Sequence, residues 1–263
     1  MIAVVVLTHD RLHLLRQCVE NVLARTSELT TEIVIWDNGS SDGTSEYLDG
    51  LDDPRVRVVH HPDNMGQNAY AEAFSLTTAR YLLELDDDMI DAPAEWDRTL
   101  LEAFDRLPQV GFLAANLVDD PHDQAATVMR ERAHLYTTEV VEGVTLLRGP
   151  VGGGCAITSR ELNERVGGFR RQAGKVFWLE DAAYIEDIAR LGYEAAYLRD
   201  LRLHHAGGSY YAKESAAKHA YWHDYWAHEI RKNRVKRALL RIPFVRPLND
   251  RYGLFRISDA PEL

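Results

Sequence analysis

The sequence predicts an α/β fold, with a mostly parallel sheet flanked by helices and a helical C-terminal tail. Three observations predict it. Short apolar, β-branched runs alternate with helical patterns through the first half of the chain, the rhythm of strands joined by crossover helices. Polar clusters at residues 8–11, 37–44 and 86–88 each follow such a run. Three loops therefore fall at the carboxyl edge of one sheet, where open α/β sheets bind ligands. Finally, the 263 residues are 46% hydrophobic and 27% charged, the balance of a globular chain with room for one large domain.

The elements follow in order. "IAVVVL" reads as a buried parallel strand, continuous and β-branched, ended by the polar "THDR". Leu12, Leu15, Val19, Val22 and Leu23 then share one helical face. "EIVIW" (32–36) is a second strand, closed by the turn-forming "DNGSSDGT". A short helix around 44–51 leads to the strand "RVRVVH" (55–60), and after "NMGQ" a helix is predicted over roughly 67–79. "RYLLEL" (80–85) runs into the aspartates, followed by a helix at about 93–106 and the strand "VGFLAA" (110–115). From 119 to 150 the pattern loosens into short strands or a hairpin. "PVGGGCAIT" is a glycine run entering a strand, and Ser159 is placed to cap a helix with Glu161 in its first turn. "EDAAYIEDIARLG" is a helix stopped at Gly192, with "YEAAYL" and "LRLHH" as two short strands behind it. The tail is helical from about 211 into the 230s, with breaks at Pro243 and Pro247.

Cys18 and Cys155 are too few for a disulfide framework and read as buried thiols of a reducing compartment. Met1 leads straight into "IAVVVL", which has no basic region before it and is too short to span a bilayer, so the expectation is a cytoplasmic protein. A formal charge of −11 argues against nucleic acid as a partner. The charge is uneven, because residues 228–251 hold eight Lys/Arg against Glu229 and Asp250, about +6, leaving about −17 for the remainder.

Chemistry concentrates in "LLELDDDMIDAP" (82–93). Three adjacent carboxylates repel one another. They make either a solvated acidic turn or a place for a hard dication, which takes one or two carboxylates and completes its shell with water and substrate phosphate.

"VVVLTHDR", "EIVIWDNGSSDGT", "NMG", "LLELDDDM", "ERVGGF", "WLEDAAY" and "LHHAGGS" occur in this order. Together they resemble the inverting family-two glycosyltransferases with the GT-A fold, a Rossmann-like sheet, over roughly residues 2–210. The resemblance implies a GT-A domain over 1–210, with a nucleotide-binding half (1–118) and an acceptor-binding half (119–210), and a basic helical extension over 211–263. It implies a nucleotide-sugar donor, Mg²⁺ or Mn²⁺, and a carbohydrate, lipid-linked or small-molecule acceptor, in surface polysaccharide, glycolipid or glycosylated-metabolite synthesis. Carried over by position, Thr8, His9 and Arg11 wrap the nucleoside. Asp37 reads the base, which favours a UDP- or dTDP-sugar, and Asn64 and Gly66 lie beside the nucleotide. Asp86 and Asp87 face the nucleotide, Asp88 and His204 the metal. Glu180 and Asp181 form the acidic pair whose aspartate serves as base. Two departures stand out: His9-Asp10 where the family often has Tyr-Asn, and "YAEAF" where a further Asn-x-Gly often follows.

Inverting transfer is a single displacement needing a base on the acceptor side and stabilisation of the leaving diphosphate on the other. An ionised carboxylate at the N-terminus of the "EDAAY" helix suits the first task. Gly152, Gly153 and Gly154 read equally as room for an acceptor or as tight packing, and Trp178 as a sugar-stacking or a core aromatic. Two other classes are weighed: a non-catalytic nucleotide-sugar-binding module, and a pyrophosphorylase-like nucleotidyltransferase. The latter usually has a glycine- and lysine-rich loop after its first strand, where this chain has "THDRLHL". In the tail, Tyr221, Trp222 and Tyr225 either dock on the domain or belong to an interfacial helix over 211–251 drawn to anionic lipid.

Overall fold

The computed structural model describes residues 1–118, 133–206, 216–242 and 245–252. The chain divides into two compact units, Met1–Tyr211 and Ala212–Leu263.

In the first unit, β1 (Ile2–Thr8), α1 (Leu12–Arg25), β2 (Thr30–Asn38), α2 (Thr44–Asp49), β3 (Val56–His61), α3 (Ala69–Ala73) and β4 (Tyr81–Asp86) follow one another. Then come β5 (Met89–Asp91), α4 (Trp96–Asp105), β6 (Val110–Val118), the hairpin β7 (Thr137–Val141) and β8 (Val144–Arg148), β9 (Cys155–Ser159), α5 (Arg160–Val166), α6 (Glu180–Arg190) and β10 (Glu194–His205). The described strands form one ten-stranded sheet ordered β3-β2-β1-β4-β9-β6-β10-β8-β7, with β5 paired to β10. β1, β2, β3 and β4 are mutually parallel, as are β6 and β10. β9 runs against both β4 and β6, so one reversed strand lies inside an otherwise mostly parallel centre.

Alternation along β4 decides where the chemistry faces. Leu83 and Leu85 join Val4, Val6, Leu15 and Trp96 in the core beneath α1 and α4. Leu82 joins Phe112, Phe169, Tyr184 and Ile188 on the opposite face, beneath α5 and α6. Each fully buried Leu or Ile contributes about 1.5–3 kcal/mol, and these two layers clamp the sheet from both sides. Glu84 and Asp86, two and four residues beyond Leu82, therefore point to the α6 face.

Several expected elements take a different form. The helix expected over 67–79 is a 3₁₀ turn, a five-residue α-helix and a second 3₁₀ turn. "YEAAYL" and "LRLHH" are one strand, with a register shift between Leu198 and Arg202 where the pattern appeared to break. Ser159 does cap α5, accepting the Leu162 amide, and Gly167 (φ +84°) ends it. Cys18 and Cys155 are both buried.

The second unit contains α7 (Ala216–Leu239) and α8 (Val245–Tyr252). Pro247 sits in the first turn of α8, where its missing N–H is no loss. Apolar and polar residues are spread around α7 without forming an apolar face. Among the described residues no helix is long and apolar enough to cross a membrane. Pro243, the side chains of Tyr221 and Trp222, and the "GGS" that follows Ala206 lie outside the described residues.

Candidate active site

Three loops at the carboxyl edge are tied into one surface. Asp10, held at φ +50°, accepts hydrogen bonds from the Ser41 amide and hydroxyl, and its own amide donates to Ser40 Oγ. Asp42 accepts the Leu12 amide. The loops after β1 and β2 are thus locked together.

The acidic turn after β4 is held by Arg11 and His205. Arg11 donates to Asp87 Oδ1 at 2.5 Å and to Asp88 Oδ2. His205 Nε2 lies 3.1 Å from Asp88 Oδ1, and Asp88 has no exposed surface. The strand pairing explains this placement: β5 pairs with the end of β10, His205 opposite Met89, and the Ala206 amide donates to the Asp88 carbonyl. Burial opposes ionisation of both carboxyls. For Asp88 that is outweighed by His205 and Arg11, which hold it well below the usual carboxylate range. For Asp87, burial prevails over Arg11, with Asp88 adding to it, and the carboxyl is pushed up to about 7.

A second group of carboxyls has no paired side-chain cation among the described residues. Glu84 is 2% exposed, and neither of its carboxyl oxygens finds a hydrogen-bond partner among the described residues. Burial, then Asp181 and Asp86, push it well above the ordinary range. Glu180, first residue of α6, is raised by burial and by the neighbouring Asp181 and Glu84. Asp181 is raised by burial, although Oδ2 accepts the Gly153 amide at 2.7 Å and Oδ1 the Ala182 amide at 2.6 Å.

The glycine run is what brings these groups together. A Cβ on Gly153 would fall 2.1 Å from Glu84 Oε1 and 3.6 Å from Asp181 Cβ, and one on Gly154 would fall 3.4 Å from Asp86 Oδ2. The Gly152 amide donates to the Tyr197 hydroxyl at 2.8 Å. Of the two readings of Gly152–Gly154, tight packing describes the structure: a Cβ on Gly153 would collide with the Glu84 carboxyl, and Cβ atoms on Gly152 and Gly154 would crowd Asp181 and Met89. Asp86 and Asp181, far apart in sequence, both come close to this backbone.

A dication can be held here. Asp86, Asp88 and His205 each offer a donor atom within 4.8 Å of the others. Two carboxylates and an imidazole suit Mn²⁺ or Mg²⁺, and buried Asp88 Oδ1 accepts no hydrogen bond of ordinary geometry. The imidazole in this group is that of His205. His204, expected at the metal, is not in it, because a register shift in the β5–β10 pairing falls between the two histidines. Arg11, expected around the nucleoside, is turned onto Asp87 and Asp88. Asp87, expected to face the nucleotide, is buried beneath it.

The remaining predicted residues line the edge towards β2. Thr8 ends β1, buried beside Asp87, and His9 is half-buried with Nε2 3.5 Å from Asp10. Asp37 is 1% exposed. Its Oδ2 takes the Ser45 hydroxyl (2.6 Å) and His60 Nδ1 (3.2 Å), and its Oδ1 takes the Ser40 amide (2.9 Å). His60 also reaches Asp49 at 3.0 Å. Asn64 accepts the Gly66 amide, and Gly66 (φ +55°) passes so near Val176 that a Cβ would lie 1.5 Å from its carbonyl oxygen. Sequence reasoning missed Asn38, which accepts the Met65 amide and donates to the Gly66 carbonyl, fastening this loop to β2. Glu84 was missed too, although a glutamate inside "YLLEL" is itself a signal. Trp178 is buried and not open to a sugar ring.

A family model described as glycosyl transferase family 2 matches residues 3–167. The chain belongs to that family. Among solved structures, it resembles the mannosyltransferase PcManGT from Pyrobaculum calidifontis, in complex with GDP-Man and Mn²⁺. Identity is 23%, the TM-score is 0.57, and the match covers 88% of this chain and 60% of that one. It also resembles glucosyl-3-phosphoglycerate synthase from Mycobacterium tuberculosis, in complex with Mn²⁺, UDP and glucosyl-3-phosphoglycerate, at 16% identity and TM-score 0.55, over 83% of this chain and 76% of that one. S. aureus TarS matches at 14% identity and TM-score 0.57, over 78% of this chain and 36% of that one. The chain thus spans about 60% of the mannosyltransferase's length. No curated protein matches it. At these identities the likeness concerns the fold, the GT-A arrangement shared by this family-2 member.

Proposed function

We propose that this family-2 member is a metal-dependent, inverting glycosyltransferase that moves a sugar from a nucleoside-diphosphate-sugar, UDP or dTDP by preference, to an acceptor hydroxyl. The observation that carries the reading is the meeting of the Asp86–Asp88 turn, held by Arg11 and His205, and the Glu180–Asp181 pair, raised by burial, at Gly152–Gly154.

Asp86, Asp88 and His205 would hold the dication. Bound there, it supplies Lewis-acid stabilisation of the leaving diphosphate. The chain's own groups do the rest. Asp181 is the base: the acceptor oxygen attacks the anomeric carbon, the bond to the diphosphate oxygen breaks, and the acceptor proton passes to the Asp181 carboxylate. Two backbone amides fix the orientation of that carboxylate, and of about four lone-pair sites on a carboxylate two remain free for the acceptor. Its raised pKa makes it a better proton acceptor than an exposed aspartate while its place at a helix N-terminus keeps the ionised form accessible. Arg11 holds the acidic turn in place. Asp37 Oδ1 accepts one hydrogen bond, so it retains a lone pair for the imide N–H of uracil or thymine.

A thermal-shift panel of UDP-, dTDP-, GDP- and CMP-sugars, each with and without Mn²⁺, tests the reading. A rise in Tm that requires both Mn²⁺ and a uracil or thymine nucleotide is expected. Stabilisation by GDP- or CMP-sugars alone would reject the donor assignment, and stabilisation unaffected by metal would reject the metal's role.

A further inference from the structure

The basic tail is not used by the chemistry above. In the second unit, Arg237, Leu240 and Arg241 at the end of α7 and Arg246 and Asn249 of α8 line a cavity of about 440 Å³. The backbone explains the convergence. Leu240 and Arg241 continue the last turn of α7, their amides donating hydrogen bonds to the Lys236 and Ala238 carbonyls, and the Val245 amide donates to the Ile242 carbonyl, so α8 begins beside that turn. Arg237 and Arg241 are four residues apart and thus on one face.

Among the described residues, none of the three guanidiniums has a carboxylate within 4.0 Å, in contrast to the paired Arg11, Arg55, Arg98, Arg148 and Arg170 of the first unit. Three unpaired cations sharing one cavity repel each other and call for a multivalent anion. Guanidinium forks match the oxygens of a phosphate group, whose charge exceeds a carboxylate's, and Leu240 offers an apolar wall to an organic substituent.

We propose that this cavity binds a phosphate group, either the head group of an anionic lipid or a soluble phosphate. The even spread of apolar residues around α7 means that the arginines, and not an inserted apolar face, make the contact.

The test uses the full chain in EDTA, which keeps a dication out of the acidic turn. Inorganic pyrophosphate is titrated by calorimetry, and sedimentation is measured with phosphatidylcholine vesicles with or without phosphatidic acid. Wild type is compared with Arg237→Gln/Arg241→Gln/Arg246→Gln and with a charge-matched control, Arg231→Gln/Lys232→Gln/Arg234→Gln. The cavity variant is expected to bind about 10- to 100-fold more weakly, the scale of removing three cations at a phosphate surface, while the control stays near wild type. Pyrophosphate binding identifies a soluble phosphate as the ligand, and binding confined to phosphatidic acid vesicles identifies a lipid. Equal losses in both variants would overturn the proposal in favour of diffuse charge attraction, and so would a wild type that binds neither probe.

Discussion

Two groups of carboxyls meet at the Gly152–Gly154 backbone, and the chain treats them in opposite ways. Around Asp88 it supplies Arg11 and His205, which hold the carboxyl well below the usual range in full burial. Around Glu84, Glu180 and Asp181 no side-chain cation is paired among the described residues, and all three are pushed up by burial. The same residue types therefore give one group held anionic and another whose proton affinity is raised. Burial is common to both, and the placement of Arg11 and His205 decides the difference. A displacement at an anomeric carbon needs both kinds of carboxyl within one substrate's reach.

The division can be broken most sharply at the proposed base. Asp181→Asn keeps shape and burial but cannot take the acceptor proton, so single-turnover transfer is expected to fall about 10²–10⁴-fold while donor binding is retained. The wild-type rate should also fall with acidification at a pH above the usual aspartate range, because Asp181 must be ionised to act and its pKa is raised.

The glycine run where the groups meet is the next target. Gly153→Ala places a methyl 2.1 Å from Glu84 Oε1, so that side chain must move, at a cost of about 1–3 kcal/mol, read as a lower denaturation midpoint. Glu84→Ala combined with Gly153→Ala should recover part of that loss, since the clash is with the Glu84 side chain.

The smallest effect sharpens the electrostatic side. Glu84 has a folded pKa raised above its unfolded value, so its contribution to stability is present below the unfolded pKa and is lost as pH rises through the folded one. Glu84→Gln removes this dependence. Its Tm should match wild type near pH 4 and exceed it increasingly towards alkaline pH, and parallel pH profiles would refute the protonation assigned to Glu84.

Much of this was legible in the residues. β1 announced itself because five consecutive apolar side chains are buried on both faces of a parallel sheet, and the ends of β1, β2 and β4 marked the loops that meet. Glu180 and Asp181 were visible as acids opening a helix. The histidine was harder: alternation along a strand implies that only one of His204 and His205 faces the aspartates, but the shift that selects His205 comes from pairing with β5, three residues long and too short to read. Arg11 read as part of a nucleotide loop because its partners lie 76 and 77 positions away. The stretch after Gly66 read as a continuous helix, whereas its packing beneath Phe169 is met by short 3₁₀ and α segments. In each case a long-range contact overrode the local pattern.

The central claim is that the two groups of carboxyls have separate duties, and Mn²⁺ binding measured by electron paramagnetic resonance in the presence of UDP tests it most directly on Asp88→Asn and Asp181→Asn. The account predicts that Asp88→Asn loses the bound Mn²⁺ signal while Asp181→Asn keeps it and still fails to transfer. Loss of Mn²⁺ in both variants, or full turnover by Asp181→Asn, would contradict the division.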